Sequence, residues 1–415
     1  MHKHAWRQRE TEGKRAEHDA KKLLSSRHFF NKFSRAMRRS GLVGEERNAL
    51  VLLIAAVSRG LNRPLNVFVK GHSSAGKNWL VTRVLSLLPK SAVREITSAS
   101  EQAWSYSRSD FRHSVVYLQE RNESVGTVDP LRVLISEGKL IRRVTGFENG
   151  RRITKEYVAC GPVAAISTTT ANRVKIDDET RHISIWVDES PEQTHKIVKS
   201  YIRDARPLGR GERDAWRMVH RILAKRSSAE IKFSKWFEKV ADDLFVGDLR
   251  VRRYFPAFVQ AVRTVSLIRS FQQHHDHGHG HLEVDFADFA ITALIFDRVF
   301  VESLHLGHGQ GEATRRLVEA IAAKTGRAVR AKDVARELDI SMDKAYSKLR
   351  YALQAGVIRL ASKPEKSNRK RYLAVPAPHF VPDPKELFDK LQLKEAIKFV
   401  HPLTGEKIVY KPKDL

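Results

Sequence analysis

Cysteine and long apolar runs are both scarce in this chain of 415 residues. The single cysteine, Cys160, excludes an intrachain disulfide framework and fits a reducing, cytoplasmic compartment. The longest apolar stretch, residues 49–57, is far too short to cross a bilayer, so no membrane partner is expected. Acidic residues are also in deficit, because 48 Asp and Glu stand against 75 Lys and Arg, which gives a formal charge of +27. This charge predicts a polyanionic partner, and nucleic acid is the usual one.

Residues 66–88 contain a short apolar strand (67–69), a turn of small residues and a helix with apolar residues at helical spacing. This order is typical of a phosphate-binding loop, in which backbone N–H groups and a helix N-terminus cradle an anion. Lys77 is then expected to reach the β- and γ-phosphates of ATP. A plain glycine turn between strand and helix is the alternative. The candidate nucleotide-binding residues are Gly71, Ser73, Ser74, Ala75, Gly76, Lys77 and Asn78.

Residues 114–120 form a second apolar strand that ends in Gln119 and Glu120. A Walker B strand has this shape and normally ends in Asp-Glu, where the first residue supports Mg²⁺ and the second polarises the attacking water. Glu120 keeps the second role, whereas Gln119 holds the first. Asn78 likewise replaces the usual Ser or Thr, so the predicted Mg²⁺ site has amides at both positions. An ordinary buried strand with a polar end is the alternative.

A β-hairpin is predicted from the alternating residues 140–146 and 153–157, joined by the turn at 148–150. The next buried strand, 163–167, ends in threonines placed where a γ-phosphate sensor would lie. Arg181 precedes a final strand, 183–188, and is positioned to reach the nucleotide of a neighbouring subunit. The arginines around the hairpin tip are Arg142, Arg143, Arg151 and Arg152.

Residues 1–40 predict a basic N-terminal arm, either a charged helix or disordered, without the apolar core of a secretion signal. Residues 191–310 are helical in pattern, with helices expected at 194–206, 213–225, 231–244, 255–273 and 286–304. Arg250, Arg252 and Arg253 begin one helix and suit either a phosphate contact or a plain basic face. The histidine-rich tract 274–281 suits either a metal or a solvated loop, and its glycines favour the loop.

A winged helix is predicted for residues 311–376. Helices at 315–323, 331–338 and 341–355 are followed by strands at 357–361 and 372–375, with a basic wing between the strands. The third helix would bury Ala345, Leu349, Ala352 and Leu353 and present its basic face to duplex DNA; docking to a protein is the alternative. The tail, 377–415, contains an amphipathic helix at 384–399. The candidate DNA-binding residues of this module are Lys344, Lys348, Arg350, Arg369, Lys370 and Arg371.

Taken together, these motifs resemble the AAA+ ATPase domain of bacterial mobile-element primase–helicase proteins, relatives of the MCM-type helicases. The resemblance covers residues 42–188. The matching residues are Ser58-Arg59, Pro64-Leu65, Ser73 to Lys77, Leu131-Arg132, Ile135 to Gly138, Gly161-Pro162, Thr168 to Thr170, Thr180-Arg181, Val187 to Ser190 and Gln193-Thr194.

The resemblance implies an α/β fold with an AAA+ P-loop core (41–190), a helical lid (191–310) and a C-terminal winged helix. It implies ATP and Mg²⁺ as cofactors, Thr169 as sensor 1, and Arg181 as an arginine finger in a homo-oligomeric ring. The hairpin then resembles the pre-sensor-1 hairpin, which contacts single-stranded DNA in a central channel. Because Asn78 and Gln119 both depart from the pattern at the metal, they put Mg²⁺-dependent hydrolysis in question.

Two functions therefore stay open. The first is an ATP-dependent DNA helicase or translocase of a mobile element or phage, acting in DNA replication. The second is an ATP-gated DNA-binding adaptor or replication initiator with little or no hydrolysis. The arginine hairpin, Lys77, Glu120 and Arg181 favour the first function, whereas Asn78 and Gln119 favour the second.

Overall fold

In a computed structural model of the protein, the chain forms two compact units. The first unit contains residues 1–300 and 381–415, and the second contains residues 301–380. The structure describes residues 2–96, 110–120, 130–148, 151–171, 174, 176–202, 207–244, 249–272, 281–304, 309–354, 358–361, 370–375 and 379–412. No helix in these ranges is long and apolar enough to span a bilayer.

A parallel sheet of five strands forms the centre of the first unit, which confirms the mixed α/β class. The strand order is β2-β3-β6-β1-β7, so β6 separates β1 from β3. Every residue of β1 and β6 is buried, as expected for parallel strands that are covered on both faces. The strands are β1 (Val67–Lys70), β2 (Val93–Ile96), β3 (Ser114–Leu118), β6 (Val163–Thr169) and β7 (Ile183–Trp186).

Helices cover the sheet and extend to the N-terminal residues. Helix α3 (Glu46–Ser58) is buried along most of its length and packs against α4 (Lys77–Leu85). Helix α1 (His2–Leu24) packs against α8 (Arg210–Arg226). Helix α2 (Phe29–Arg39) buries aromatic residues against Trp216 of α8. Residues 29–39 are therefore part of the folded unit and not the basic arm that the charge pattern predicts.

Between Pro191 and Leu304 the structure is mostly helical, with one departure. Residues 230–233 form strand β8 (Glu230–Phe233), which pairs in parallel with β9 (His281–Val284). A 3₁₀ turn (Lys235–Glu238) and the short helix α9 (Lys239–Asp242) follow, so the predicted helix at 231–244 is wrong. Most of the histidine tract lies outside the described residues. The remaining helices are α7 (Pro191–Tyr201), α10 (Val251–Arg269) and α11 (Phe286–Leu304).

The C-terminal residues return to the first unit. Helix α15 (Pro384–Leu391) ends where Gln392 adopts the left-handed conformation, with φ of 48°. An antiparallel pair follows, β12 (Ile397–Val400) and β13 (Lys407–Tyr410), in place of the continuous helix predicted to residue 399. The Asn31 amide of α2 donates to the carbonyl oxygens of His401 and Pro402 at 3.1 and 2.9 Å. These bonds fix the C-terminal hairpin to α2.

The second unit has three helices and a small antiparallel sheet. Helices α12 (Gly309–Thr325), α13 (Ala331–Leu338) and α14 (Met342–Gln354) precede strands β10 (Ile358–Leu360) and β11 (Tyr372–Ala374). Val329 adds a bridge to Tyr372 through two backbone hydrogen bonds of 2.9 and 2.8 Å. The predicted inner face of α14 is confirmed, because its Ala345, Leu349 and Ala352 are fully buried and Leu353 packs against them.

Candidate functional site

The turn after β1 has the backbone of a phosphate-binding loop. Gly71 has φ of 154°, and a Cβ on it would come within 2.5 Å of Val187 Cγ2 and 2.9 Å of Glu189 Oε1. Gly76 has φ of 89°, which disfavours other residues, and it directly precedes the first residue of α4. The N-terminal N–H groups of α4 therefore begin where the loop ends, as anion binding requires.

Lys77 lies inside the loop. Its ammonium donates to the carbonyl oxygens of Gly71 at 2.8 Å and His72 at 2.6 Å. Burial lowers the pKa of Lys77, while the carboxylates of Glu189 and Glu120 act in the opposite direction. The predicted cation and the predicted catalytic carboxylate therefore belong to one electrostatic site.

Glu189 is a site residue for which the sequence analysis predicts no role. Its carboxylate accepts a hydrogen bond from the His72 backbone N–H and also contacts the His72 ring. Two hydrogen bonds hold the segment that carries Glu189. The carboxylate of Glu45, just before α3, accepts from the Asp188 N–H at 2.7 Å, and the amide of Asn48, in α3, donates to the Trp186 carbonyl at 2.8 Å. A negative charge is thus held at the mouth of an anion-binding loop.

The two positions expected to hold Mg²⁺ are tied by hydrogen bonds to neighbouring strands. The Tyr117 hydroxyl donates to Asn78 Oδ1 at 3.2 Å, and burial raises the pKa of Tyr117 to about 12, so this donor stays protonated. The Gln119 amide donates to the Glu95 carboxylate at 2.5 Å. Glu95 lies on β2, one strand away, and no sequence motif singles it out.

The side chains named at these positions offer oxygen ligands, which suit a hard cation such as Mg²⁺. Asn78 and Gln119 supply amide oxygens, and the Glu95 and Glu120 carboxylates supply the negative charge. Across the described ranges, no three His, Cys, Asp or Glu side chains converge on one metal-binding point. The amide and carboxylate oxygens of these four residues fit Mg²⁺ by ligand chemistry.

Thr168 and Thr169 end strand β6, and they lie at the same carboxyl edge of the sheet as Glu120. The Thr168 hydroxyl accepts a hydrogen bond from the Glu120 N–H at 3.1 Å, and Glu120 has the left-handed φ of 48°. Thr169, the predicted sensor, is buried and accepts from the Ala171 N–H at 3.1 Å. Thr168 thus links β6 to the backbone of Glu120, the predicted catalytic residue. Thr170 is exposed.

One strand end carries a buried ion pair that the sequence did not indicate. The Lys70 ammonium, fully buried at the end of β1, contacts the carboxylate of Glu179. Glu179 ends the short helix α6 (Ile176–Glu179), which precedes β7. The pair joins the phosphate-loop strand to the segment that carries Arg181.

Arg181 belongs to a cluster of three arginines. Its Nε donates to Ser136 Oγ at 2.8 Å, and its guanidinium also reaches the Asp177 carbonyl. Arg253, one of the three arginines considered for a phosphate contact, donates to Thr180 Oγ1 at 3.1 Å. Burial, followed by repulsion from Arg253 and Arg132, lowers the pKa of Arg181. Three guanidinium groups are therefore concentrated at one surface.

The predicted arginine hairpin is present and is longer than its sequence pattern indicates. Strand β4 (Lys139–Glu148) pairs with β5 (Arg151–Cys160) along its full length. Cross-strand register puts Arg143 and Arg152 on one face and Arg142 and Arg151 on the other. The Arg143 Nε atom donates to Glu156 at 2.8 Å. The turn residues 149–150 lie outside the described ranges.

The base of the hairpin is packed on the core. Helix α5 (Pro130–Glu137) leads into it, and Leu131 and Leu134 of this helix join Val116, Ala159 and Val163 in one buried cluster. The Gly161 N–H donates to the Gly138 carbonyl at 2.8 Å, which closes the base. The arginines are thus carried by a ribbon with a fixed base.

In the second unit, the residues predicted to contact DNA flank the buried face of α14. Lys344 and Arg350 are exposed, and Lys348 is half-buried. Lys370 is exposed and Arg371 half-buried just before β11, whereas Arg369 lies outside the described residues.

The sheet order, the phosphate loop and the carboxylate after β3 define a P-loop-like α/β core. No family model and no curated protein matches the chain. Among solved structures, a full-length MCM homolog from Methanopyrus kandleri is similar at 10% identity and a TM-score of 0.38 over 70% of this chain, which spans 62% of that protein.

Two other solved structures are similar at comparable levels. SCCmec type IV Cch, an active helicase, gives 13% identity and a TM-score of 0.31, over 79% of this chain and 67% of its own. The C-terminal region of NrS-1 gives 12% identity and a TM-score of 0.26, over 83% and 75% of the two chains. Because these TM-scores are low, the P-loop-like core is assigned from the chain's own strand order and site geometry.

Proposed function

We propose that the protein is an AAA+ ATPase that acts on DNA, as an ATP-dependent helicase or translocase in the replication of a bacterial mobile element or phage. The observation that carries this proposal is the placement of Lys77, at the start of the helix after β1, and of Glu120, just after β3, at the carboxyl edge of one parallel sheet. The position of β6, between the phosphate-loop strand and the Walker B-like strand, supports an AAA+ core, since this is where a sensor strand is expected.

In this proposal each group has a chemical task. The loop N–H groups and Lys77 bind the phosphates, and Glu120 polarises the attacking water. Bound Mg²⁺ would neutralise charge on the phosphates, and Asn78 and Gln119 would hold it through amide oxygens. Thr168 keeps Glu120 in position by accepting its backbone N–H, and Thr169 is the candidate sensor beside it.

The cluster of Arg132, Arg181 and Arg253 supports an assembly in which one subunit completes the site of the next. A homo-oligomeric ring satisfies this need, with Arg181 as the finger on the neighbour's nucleotide. The hairpins would then line a central channel for single-stranded DNA. The second unit is proposed to be a winged helix that binds duplex DNA through α14 and the segment before β11. The protein is proposed to act in the cytoplasm.

One observation favours the second candidate, an ATP-gated adaptor or initiator with little hydrolysis. The Asn78 Oδ1 atom, which would bind the metal, already accepts a hydrogen bond from Tyr117, and Gln119, whose Nε2 donates to Glu95, offers only a neutral amide oxygen in place of a carboxylate. A site with weak metal affinity would bind nucleotide and turn it over slowly. Nucleotide would then act as a switch for DNA binding.

Steady-state ATP turnover, with and without single-stranded DNA, separates the two functions. A motor is expected to hydrolyse ATP faster when DNA is added, and Glu120→Gln should abolish this turnover while nucleotide binding persists. Lys77→Ala should weaken nucleotide binding itself, because it removes the cation inside the loop. Zero turnover in the presence of tight ATP binding would favour the adaptor. Unchanged ATP binding by Lys77→Ala would contradict both.

A further inference from the structure

A basic cleft lies at the opposite edge of the sheet from the phosphate loop. It has a volume of about 860 Å³ and is lined by the loop before β1, the residue before β3, the end of α8 with the start of β8, and α10. Arg63 and His113 precede strands β1 and β3, whereas the phosphate loop follows β1. In a parallel sheet these are opposite edges, so the cleft is separate from the candidate ATP site.

We propose that this cleft is a second phosphate-binding site, which takes a chain of phosphate groups through Arg59, Arg63 and Arg263. The proposal is independent of ATP hydrolysis and of the assignment of the phosphate loop. Two sources can supply this chemistry, the backbone of a single nucleic-acid strand and a free polyphosphate.

Arg59 is the most informative of the three arginines. It is 4% exposed, and its Nη1 donates to the Ala56 carbonyl at 3.0 Å. Burial lowers the pKa of Arg59 to about 10, and no carboxylate in the part of the chain that the structure describes acts against this shift. A buried guanidinium usually has an opposite charge beside it, because the desolvation of a lone charge is costly. A bound anion would provide the missing charge.

Arg63 and Arg263 add charge to the same cleft. Arg63 is exposed, and Arg263 is half-buried with its guanidinium 5.1 Å from the centre of the Phe233 ring. Burial and repulsion from Arg63 lower the pKa of Arg263, so the two cations are close enough to interact. Among the described residues, no carboxylate acts on the pKa of Arg59 or of Arg263.

The rest of the lining contains both polar and apolar side chains and holds little negative charge. Among the described residues that line the cleft, Glu230 is the one acidic side chain; it is exposed, and its Oε2 lies 3.4 Å from Lys232 Nζ. His113 contacts the Arg59 carbonyl oxygen at 3.0 Å and thereby fixes the backbone beside the buried guanidinium. Guanidinium groups match phosphate oxygens in a bidentate manner, and the cleft is larger than a single phosphate requires.

The test compares Arg63→Ala/Arg263→Ala with Arg35→Ala/Arg94→Ala, a control that removes the same charge from exposed positions outside the cleft. All proteins, parent included, carry Lys77→Ala so that the phosphate loop does not dominate the signal. One arm measures anisotropy of a labelled single-stranded oligonucleotide across a salt series. The other measures binding of inorganic triphosphate by calorimetry, without DNA.

If the cleft binds a nucleic-acid strand, the cleft variant loses roughly fivefold to tenfold in oligonucleotide affinity, and the salt slope falls by about 1.4, as expected for two phosphate contacts. If it binds free polyphosphate, only the triphosphate arm changes. Arg63→Glu, at an exposed position, should reproduce either loss if the double variant does not fold. Cleft variants that match the control in both arms would overturn the proposal, whatever the ATPase assay shows.

Discussion

At the scale of single residues, the two proposed metal ligands should decide whether the site hydrolyses ATP. Asn78 and Gln119 offer neutral oxygens, and each amide is already hydrogen-bonded to a neighbouring strand. A neutral ligand attracts Mg²⁺ less than a carboxylate does, because the metal's charge is not compensated. Hydrolysis by this site is therefore expected to need more Mg²⁺ than a site with the usual Asp.

The change Asn78→Ser with Gln119→Asp should restore the usual ligands. We expect ATP turnover to rise by about tenfold, equivalent to ~1.4 kcal/mol in the barrier, and half-saturation to shift to lower Mg²⁺. The measurement is steady-state turnover across a Mg²⁺ titration. The same double change with Glu120→Gln is the control and should stay inactive. If turnover remains at zero in the restored protein, the motor hypothesis is weakened.

Glu189 holds a carboxylate against the N–H group of His72 in the phosphate loop. Because ATP brings like charge to this position, Glu189→Ala should tighten nucleotide binding by about fivefold, or ~1 kcal/mol. A titration with a fluorescent nucleotide measures this affinity. The matched control is Glu192→Ala, which removes an exposed carboxylate three residues after Glu189. Weaker binding by Glu189→Ala alone would show that the carboxylate helps to hold the nucleotide.

The sequence predicts site residues that belong to one local motif. It does not predict site residues whose contacts form only when distant segments fold together. Lys77 and Glu120 stand in strand-and-turn patterns that are readable from neighbours along the chain. Glu95, Thr168 and Glu189 acquire their contacts through strand order, which the sequence does not display. The three threonines at the end of β6 predicted a sensor, but which hydroxyl faces Glu120 depends on the register of β6 with β3.

At the scale of elements, long periodic patterns were predictable and short or highly charged ones were not. The hairpin β4–β5 and helices α13 and α14 agree with their patterns. Helix α2 was predicted only as part of a charged helix or a disordered arm, because its arginines and lysine raise the charge of the segment. Its aromatic residues, which face inward at helical spacing, place it in the folded unit. Strand β8 has only four residues, too few to distinguish its alternation from a helical start.

Helix α2 should stabilise the first unit through Phe33, which is fully buried, with its ring 5.5 Å from that of Trp216. Phe33→Ala is expected to lower the free energy of unfolding by about 3–5 kcal/mol, because it leaves a cavity in a packed cluster. Urea unfolding followed by tryptophan fluorescence measures the change. Arg35→Ala, on the exposed face of the same helix, should leave the midpoint nearly unchanged; equal effects would mean that α2 does not pack as described.

The hairpin and the second unit should contribute to DNA binding in different ways. Loss of Arg142, Arg143, Arg151 and Arg152 is expected to uncouple ATP turnover from single-stranded DNA, since these side chains lie on the proposed channel element. Loss of Lys348, Arg350, Arg369 and Arg371 is expected to weaken duplex binding and leave basal turnover unchanged.

Both variants are assayed for DNA binding across a salt series and for DNA-stimulated turnover. Affinity should fall by roughly one power of salt for each duplex phosphate contacted. A hairpin variant with full DNA stimulation would contradict the channel assignment. A second-unit variant that binds duplex like the parent would indicate that this unit docks a protein.

At the scale of the whole molecule, the formal charge of +27 is concentrated on several features. The hairpin, the Arg181 cluster, the cleft of Arg59 and the outer face of α14 each carry part of it. Composition predicted a polyanionic partner, but it could not divide the charge among these surfaces, because the division depends on which elements come together. The compact units likewise differ from the composition boundaries, since residues 381–415 rejoin the first unit.

This return of the chain makes residues 301–380 an insertion, with covalent connections to the first unit at both ends. A protease that cuts only one connection should leave the protein in one piece under native conditions, because the C-terminal residues remain bound through contacts such as Asn31 to His401 and Pro402. We expect nicked protein to elute as intact protein in gel filtration and to separate only on a denaturing gel. Asn31→Ala should favour release of the C-terminal fragment, and a fragment that already dissociates from the nicked parent would contradict this. The DNA-binding module proposed here would therefore be retained after a single break in the chain, as a module attached by one linker would not.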